Sequence, residues 1–194
     1  LMKSNALLML MLIPALLKAQ STSKFVIDPS SSFTLSGVSN VNEFDCELKE
    51  GFCEDQLSIG YSHKNGNVYF KNANLSVSVS KFDCNSKYIT RDMKKTLKEE
   101  EFPFMEFELL SIENFNNENS TNALAEALVT ISGHTNKYFL KYDVEPASKS
   151  SYKLKMISDF KMKEFGIDPP SAMMGLIKVH DTITVEIDLH ITLL

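Results

Sequence analysis

The sequence predicts an all-β protein, a closed antiparallel barrel of about eight strands with one short helix inserted in the middle of the chain. Three observations predict this class. Apolar and polar residues alternate with a period of two along much of the chain, residues typical of turns separate the alternating segments, and one segment has helical spacing. The 194 residues suit a single domain, and 43% hydrophobic with 23% charged residues is an ordinary globular composition.

The last segment, residues 182–194, shows the alternation most clearly. Polar residues alternate there with Ile183, Val185, Ile187, Leu189, Ile191 and Leu193. A strand with one apolar and one polar face is typical of an antiparallel sheet that is buried on one side. The segment is long for a strand of a small sandwich, so it favours a tilted barrel strand.

Shorter alternating segments predict the other strands. They lie at residues 24–27, 33–36, 57–70, 75–80, 105–109, 128–131, 138–144 and 154–160. Turn residues stand between them. The pair Asn65-Gly66 is the strongest hairpin signal, because these residues readily adopt the positive φ angles of a tight turn. Asn116-Asn117 and Gly133 mark two further turns.

Residues 86–98 are predicted to form the helix. Apolar residues recur there near helical spacing, at Tyr88, Ile89, Met93 and Leu97. Asn85 or Ser86 is the expected cap, and Pro103 begins the next strand. The charged run at residues 94–101 is expected to be a solvated helix face and its end. A second irregular segment, residues 165–175, contains two adjacent prolines and is predicted to be a loop.

The N-terminus has the order of regions that a secretory signal requires. Lys3 supplies a basic start, residues 6–17 form an apolar run, and Ala19 precedes a polar stretch. The run is shorter than the roughly 20 apolar residues that span a bilayer. We therefore expect a signal peptide at residues 1–19, a barrel domain at residues 22–194, and a periplasmic or secreted location in a Gram-negative-like bacterium.

The charge of the chain restricts its partners. Removal of residues 1–19 takes away Lys3 and Lys18 and no acidic residue, so the formal charge moves from −5 to −7. An acidic protein repels nucleic acid and anionic membrane surfaces. We expect no nucleic-acid partner and no stable membrane insertion after signal cleavage. The oligomeric state stays open, with a dimer among the options.

Three cysteines remain after signal cleavage, Cys46, Cys53 and Cys84. An exported protein meets an oxidising compartment, so one disulfide is expected and one thiol is left over. None of the three stands at the spacing of a metal site. The residues alone leave the pairing open.

The residues that could perform catalysis do not form a recognisable set. The histidines His63, His134, His180 and His190 lack the spacing of a metal-binding motif. The chain also has no Gly-x-Ser-x-Gly elbow and no glycine-rich phosphate loop. We expect no catalytic residue, no metal and no cofactor.

Function is therefore expected to depend on the shape of the interior. An eight-stranded barrel has room for one slender ligand, and each buried methylene contributes about 0.8 kcal/mol, so a long apolar chain can bind without a polar motif. The interior is expected to stay open along the barrel axis, with Met93 and Leu97 closing one end. The predicted lining residues on the strands are Leu35, Val77, Val79, Phe107, Leu109, Leu140, Tyr142, Met156, Val185, Ile187 and Leu189.

Several blocks of sequence then suggest a family. They are residues 35–44 (LSGVSNVNEF), 77–84 (VSVSKFDC), 88–97 (YITRDMKKTL), 102–107 (FPFMEF), 128–135 (LVTISGHT) and 165–170 (FGIDPP) with Gly175. In this order, the blocks resemble the YceI-like family, exported bacterial proteins with a lipocalin-like barrel. They extend over nearly the whole predicted barrel domain.

The resemblance implies a non-catalytic carrier that binds a polyisoprenoid, such as a prenyl quinone or its prenyl precursor. It also implies a disulfide between Cys46 and Cys84 with Cys53 free, whereas pairing of Cys46 with Cys53 is the alternative. Two other functions remain open. A structural or interaction module would have a filled core, and an enzyme acting on a lipid or quinone would have polar groups directed into the interior.

Overall fold

The computed structural model describes residues 21–53, 55–113 and 120–194. The predicted signal peptide and the predicted turn at Asn116-Asn117 lie outside these residues. The strands are β1 (Ser21–Ile27), β2 (Ser32–Ser39), β3 (Glu43–Leu48), β4 (Gln56–Lys64), β5 (Asn67–Lys71), β6 (Asn74–Ser78), β7 (Phe82–Asp83), β8 (Phe104–Ile112), β9 (Ser120–Ile131), β10 (His134–Pro146), β11 (Ser151–Lys161), β12 (Ser171–Ala172) and β13 (Ile177–Leu193). Helix α1 (Lys87–Thr96) lies between β7 and β8.

Eight of the strands close into a ring. Their order is β1, β4, β5, β8, β9, β10, β11 and β13, and β13 pairs with β1 to complete it. Neighbouring strands of the ring run antiparallel. The predicted closed antiparallel barrel is therefore confirmed.

Two long strands each take two partners, and this divides the barrel wall into two halves. β13 pairs with β2 near its start, where Val185 is opposite Leu35, and with β1 near its end, where Ile191 is opposite Ile27. β8 likewise pairs first with β6 and then with β5. At the end that carries α1, called here the helical end, β2, β3, β6 and β7 complete the wall. At the opposite end, called here the far end, β1, β4 and β5 do so.

The hairpin between β4 and β5 follows directly from its turn residues. Asn65 has φ 53° and Gly66 has φ 81°, and Lys64 pairs with Asn67 on either side of them. Both central residues of a two-residue hairpin of this kind need positive φ, which asparagine and glycine adopt at low cost. The predicted hairpin is confirmed.

The helix and the late loop differ in detail from the predicted ranges. The helix begins at Lys87 and ends at Thr96, because Lys98 adopts a left-handed φ of 54° that stops it. The predicted loop at residues 165–175 contains the short strand β12, which pairs with the start of β13. β3 is an additional strand in which Glu43, Asp45 and Glu47 occupy the outward positions.

The interior is filled over most of its length. Towards the middle, Phe33 packs edge-to-face on Phe82 and Phe107, with ring centroids 5.6 and 5.5 Å apart. At the far end, a second apolar cluster is formed by buried Ile112, Ala125, Tyr142 and Val144. The expectation that the interior stays open along the whole axis is wrong, because these side chains occupy the middle and the far end.

Candidate functional site: an apolar cavity under the helix

A cavity of about 370 Å3 lies at the helical end, beneath α1. Its volume is within the range of about 300–1,000 Å3 that small-molecule sites have. Strands, helix and late loop all contribute to it. Apolar lining residues include Leu35, Phe44, Cys46, Ile89, Met93, Leu97, Met105, Ile131, Phe160, Phe165, Val179 and Val185. The surface of the cavity is thus suited to hydrocarbon.

The strand residues that line the cavity occupy one level of the barrel. Leu35, Met105, Ile131 and Val185 line it. Successive residues of a strand point to opposite faces, so the next inward position lies two residues further towards the far end. Those positions are Phe33, Phe107, Val129 and Ile187, which are all buried in the core. They form the floor of the cavity.

Helix α1 covers the cavity and is attached at both ends. Its half-buried Ile89, Met93 and Leu97 pack against the main core. At its start, the Thr90 hydroxyl accepts a hydrogen bond from the Cys84 amide at 2.9 Å. At its end, the Ser132 hydroxyl donates to the Leu97 carbonyl at 2.9 Å. These contacts hold the amphipathic helix with its apolar face towards the cavity.

An aromatic group supports the wall beside the late loop. Tyr138 lies edge-to-face on Phe160, 4.8 Å between centroids, and stacks on Phe165 at 6.0 Å. The Tyr138 hydroxyl donates to the Glu164 carboxylate at 2.6 Å, while the Asn136 amide donates to the Glu164 carbonyl at 2.8 Å. Burial and the neighbouring Glu164 carboxylate together raise the pKa of Tyr138 above its ordinary value. The neutral phenol thus fixes the turn that carries Phe165.

Polar groups are few in the lining. They are Ser39, Asn42, Asp92, Thr96 and Ser171. The Asp92 carboxylate accepts hydrogen bonds from the Arg91 guanidinium at 3.0 and 3.2 Å. No lysine, arginine or histidine is among the lining residues. The site thus offers uncharged hydrogen-bonding groups and one carboxylate, but no cation for an anionic ligand.

The structure places four of the predicted lining residues at this cavity: Leu35, Met93, Leu97 and Val185. The other nine lie elsewhere and do not line it. Val77, Val79, Phe107, Leu140 and Ile187 are buried in the main cluster, against which Leu189 also packs. Leu109, Tyr142 and Met156 belong to the far-end cluster or pack on it. These nine face inward as predicted, but they are at levels of the barrel that other side chains fill.

The cavity also has lining residues that strand alternation does not identify. Tyr88 and Ile89 come from α1, Phe165 and Ile167 from the late loop, and Phe44 from β3. Two features of the sequence point to the lining residues of the helix and of the late loop. The helical spacing at residues 88–97 predicts an apolar helix face, and residues 165–170 form one of the blocks that carry the family resemblance.

The disulfide joins Cys46 to Cys84, the pairing that the resemblance implies. Cys53 is a free, exposed thiol. Cys46 lies on β3, and Cys84 follows β7 directly. The bond therefore connects the strand that lines one side of the cavity to the segment that leads into α1.

The cavity lining brings no histidine or free cysteine together with an acidic residue. Outside the lining, on the barrel surface, the Ser30 hydroxyl lies 2.8 Å from His190 Nδ1, and His190 Nε2 lies 3.3 Å from the Asp188 carboxylate. His134 is exposed and contacts the Ser132 carbonyl at 3.0 Å, and His180 is also exposed. Across residues 21–53, 55–113 and 120–194, no three histidine, cysteine, aspartate or glutamate side chains could jointly hold a metal ion. Asp92 is the acidic residue of the cavity lining, and its carboxylate is paired with the Arg91 guanidinium.

The fold and the site together define a lipocalin-like barrel with an apolar cavity closed by a helix at one end. The model of the YceI-like domain family matches residues 25–191. The chain therefore belongs to the YceI-like family. No curated protein matches the sequence. Among the described residues, no helix has the length and apolar character to cross a bilayer.

Solved structures share this fold at low sequence identity. BcnA of Burkholderia cenocepacia is 12% identical, with a TM-score of 0.62, and the match covers 84% of this chain and 98% of that one. A polyisoprenoid-binding domain from Saccharophagus degradans, implicated in plant cell wall breakdown, is 11% identical with a TM-score of 0.59, over 87% and 97% of the two chains. The YceI protein of Campylobacter jejuni is 15% identical with a TM-score of 0.53, over 72% and 81%.

Proposed function

We propose that this protein is an exported, non-catalytic carrier that holds a polyisoprenoid or a similar apolar chain in the cavity under α1. The observation that carries the proposal is the cavity itself, about 370 Å3 lined mainly by apolar side chains. Each methylene that enters it contributes about 0.8 kcal/mol, so affinity grows with chain length. The similarity to a polyisoprenoid-binding domain supports this class of ligand.

Export to the periplasm or to the medium is part of the proposal. The signal-like order of residues 1–19 and the disulfide between Cys46 and Cys84 both favour an oxidising compartment. A carrier is needed there because a long apolar chain is insoluble in water.

The polar lining favours a chain whose end group is uncharged. Asn42, Thr96 and Ser171 can hydrogen-bond a hydroxyl or a quinone oxygen. A phosphate in the same position would meet the Asp92 carboxylate, and Arg91, the cation beside it, lies outside the lining and is already paired with that carboxylate. We therefore infer a prenyl alcohol or prenyl quinone rather than a prenyl phosphate.

The experiment is organic extraction of the protein purified from its natural host, followed by mass spectrometry and by uptake of a prenyl quinone from detergent. Ile177→Trp replaces an aliphatic side chain of the cavity lining with a bulky indole ring, so we expect it to reduce the amount of bound chain and the uptake by roughly tenfold or more. Ile157 is exposed on the outer wall of β11, and Ile157→Trp is the matched control that keeps both.

The result that would overturn the proposal is a wild-type protein that yields no apolar chain on extraction and takes up no prenyl quinone. Equal uptake of a prenyl alcohol and its phosphate would overturn the inference about the end group alone. A structural or interaction module with a filled core would likewise yield no apolar chain and take up no prenyl quinone. The cavity under α1 argues against that alternative.

A further inference from the structure

Large apolar side chains are exposed around the opening of the cavity. Val41, Tyr88, Met173, Met174 and Leu176 are exposed, and Met174 is completely so. These five residues are called the mouth face. Exposed apolar residues that are scattered singly need no explanation, but a group at one site marks an interaction surface.

The segments that carry the mouth face are held together at the opening. The Asn40 side chain, next to Val41, donates to the Leu176 carbonyl at 2.9 Å and accepts from the Lys178 amide at 2.8 Å. Ser171, Ala172 and Ile177, which flank the exposed methionines, line the cavity, and so does Tyr88. The mouth face is therefore continuous with the ligand cavity, while Met173, Met174 and Leu176 themselves stay outside the lining.

The backbone of the late loop presents two methionines in an unfavourable conformation. Met173 has φ 50° and Met174 has φ 58°, in the left-handed region that glycine and asparagine usually occupy. Such strain persists where the surrounding structure imposes it, and it clusters at functional sites. The loop thus exposes flexible apolar side chains where a polar turn would be easier to form.

A basic stripe lies beside the mouth face on the outer side of α1. Lys87, Arg91 and Lys95 are exposed, and the Arg91 guanidinium lies 5.7 Å from the centre of the Tyr88 ring. Lys87 and Lys95 have no ion-pair partner within residues 21–53, 55–113 and 120–194, whereas Arg91 pairs with Asp92. The groove on this side of α1 is lined by seven lysine and arginine residues, the stripe among them, and by five acidic residues, including Glu99, Glu100 and Glu101.

We propose that the mouth face and the basic stripe dock the protein on the surface of an anionic phospholipid bilayer. Apolar side chains next to lysine and arginine are the combination by which proteins bind an interface between anionic headgroups and acyl chains. The net charge, −5 for the whole chain and −7 without residues 1–19, predicts repulsion from such a surface. The exposed Lys87, Arg91 and Lys95, which lie outside the cavity lining, supply the local positive charge for docking.

Docking in this orientation would turn the cavity opening towards the bilayer. An apolar chain could then pass between the acyl region and the cavity without crossing water. This transfer step rests on the proposed carrier function, whereas the docking itself needs no ligand in the cavity.

The test is sedimentation with two kinds of vesicle. One is phosphatidylcholine alone, and the other contains about 30% phosphatidylglycerol, which gives a strong negative surface potential. All forms are purified from the natural host, so they carry the same natural N-terminus. We expect the wild type to bind the anionic vesicles more tightly, and added salt to weaken the binding. Met174→Ser with Leu176→Ser should weaken it at least roughly tenfold, because two apolar side chains no longer enter the interface.

Matched variants separate the docking surface from general effects on the fold. Lys87→Gln with Lys95→Gln should weaken binding to anionic vesicles roughly 30-fold at low salt. Lys141→Gln with Lys153→Gln makes the same charge change on the exposed barrel wall and should have little effect. Phe139→Ser is the corresponding control for the loss of an exposed apolar residue.

Three results would overturn the proposal: no binding to either vesicle, binding that ignores lipid charge, or equal loss in the wall variants and the mouth variants. Uptake of prenyl quinone from detergent is measured on the same forms. Loss of vesicle binding with retained uptake in the Met174→Ser, Leu176→Ser form supports docking. Failure of uptake in the wild type with intact vesicle binding would contradict the carrier function instead.

Discussion

Cys84, directly before α1, is bonded to Cys46, whose side chain lines the cavity that α1 covers. The bond closes a loop with a sequence separation of 38 residues, which includes β4, β5 and β6. It therefore holds the start of the helix on β3 and reduces the freedom of the unfolded chain at the same time.

Replacement of both cysteines should destabilise the protein strongly. For Cys46→Ala with Cys84→Ala we expect a loss of about 3–4 kcal/mol in the free energy of unfolding, because the unfolded chain regains loop entropy. Urea denaturation without reductant measures this loss. Cys53→Ala removes only the exposed free thiol and is the control, with a change below about 0.5 kcal/mol. Equal stability of the two forms would contradict a structural role of the disulfide.

Gly37→Ala is predicted to destabilise the protein, because the Phe44 ring lies across Gly37. A Cβ atom at Gly37 would be 2.3 Å from the Phe44 Cζ atom. Gly37→Ala should therefore displace the ring towards the cavity, cost about 1–3 kcal/mol of stability and reduce ligand uptake. Thermal denaturation and prenyl quinone uptake measure the two effects. Ser36→Ala, the neighbouring position on β2, should change neither, and a Gly37→Ala protein with normal stability would disprove the contact.

Two tyrosines on β10 should respond in opposite ways to removal of the hydroxyl. The buried Tyr142 hydroxyl has no hydrogen-bond partner among the described residues, and burial raises the pKa of Tyr142 to about 12. Tyr142→Phe should leave stability unchanged or increase it by about 1 kcal/mol, since a buried unpaired hydroxyl is unfavourable. Tyr138→Phe should lower stability by about 1 kcal/mol, because the bond to Glu164 is lost. Urea denaturation measures both effects. A loss of unfolding free energy in Tyr142→Phe but not in Tyr138→Phe would contradict the hydrogen bonding described for the two hydroxyl groups.

Low pH should lower the free energy of unfolding, in part through protonation of Glu126. The hydrogen bond from Lys137, at 2.6 Å, lowers the pKa of Glu126 from its ordinary value of 4.5, and the carboxylate is 24% exposed. The folded state then binds this proton less readily than the unfolded state. The contribution is present above about pH 4.5 and is lost as the pH falls through the lowered pKa.

The Glu126 contribution is measured by comparing the wild type with Glu126→Gln in urea at pH 6 and pH 3. The difference in unfolding free energy should be about 0.2–1 kcal/mol at pH 6 and smaller at pH 3. Glu145→Gln, at the exposed end of β10, is the control. A difference in unfolding free energy that grows towards low pH would show that the pKa of Glu126 is not lowered in the folded state.

The strand pattern could be predicted because it is a local property. Alternation along residues 182–194 indicates one inward face, and Asn65-Gly66 indicates a hairpin, whatever the rest of the chain does. The inward direction of Leu35, Val185 and Leu140 follows from the same period. The antiparallel barrel and its inserted helix therefore rest on information within short segments.

The position of the cavity was decided by the tertiary structure. Leu35 lines the cavity while Phe33, on the same face of the same strand, is part of its floor. No periodicity distinguishes them, because empty space depends on the summed volumes of side chains from all the strands that meet at one level. The place of α1 over the opening, the meeting of Tyr88 with the late loop, and the basic stripe beside them are likewise contacts between distant segments. Alternation in the sequence determined which residues face inward, and packing decided which of them leave room for a ligand.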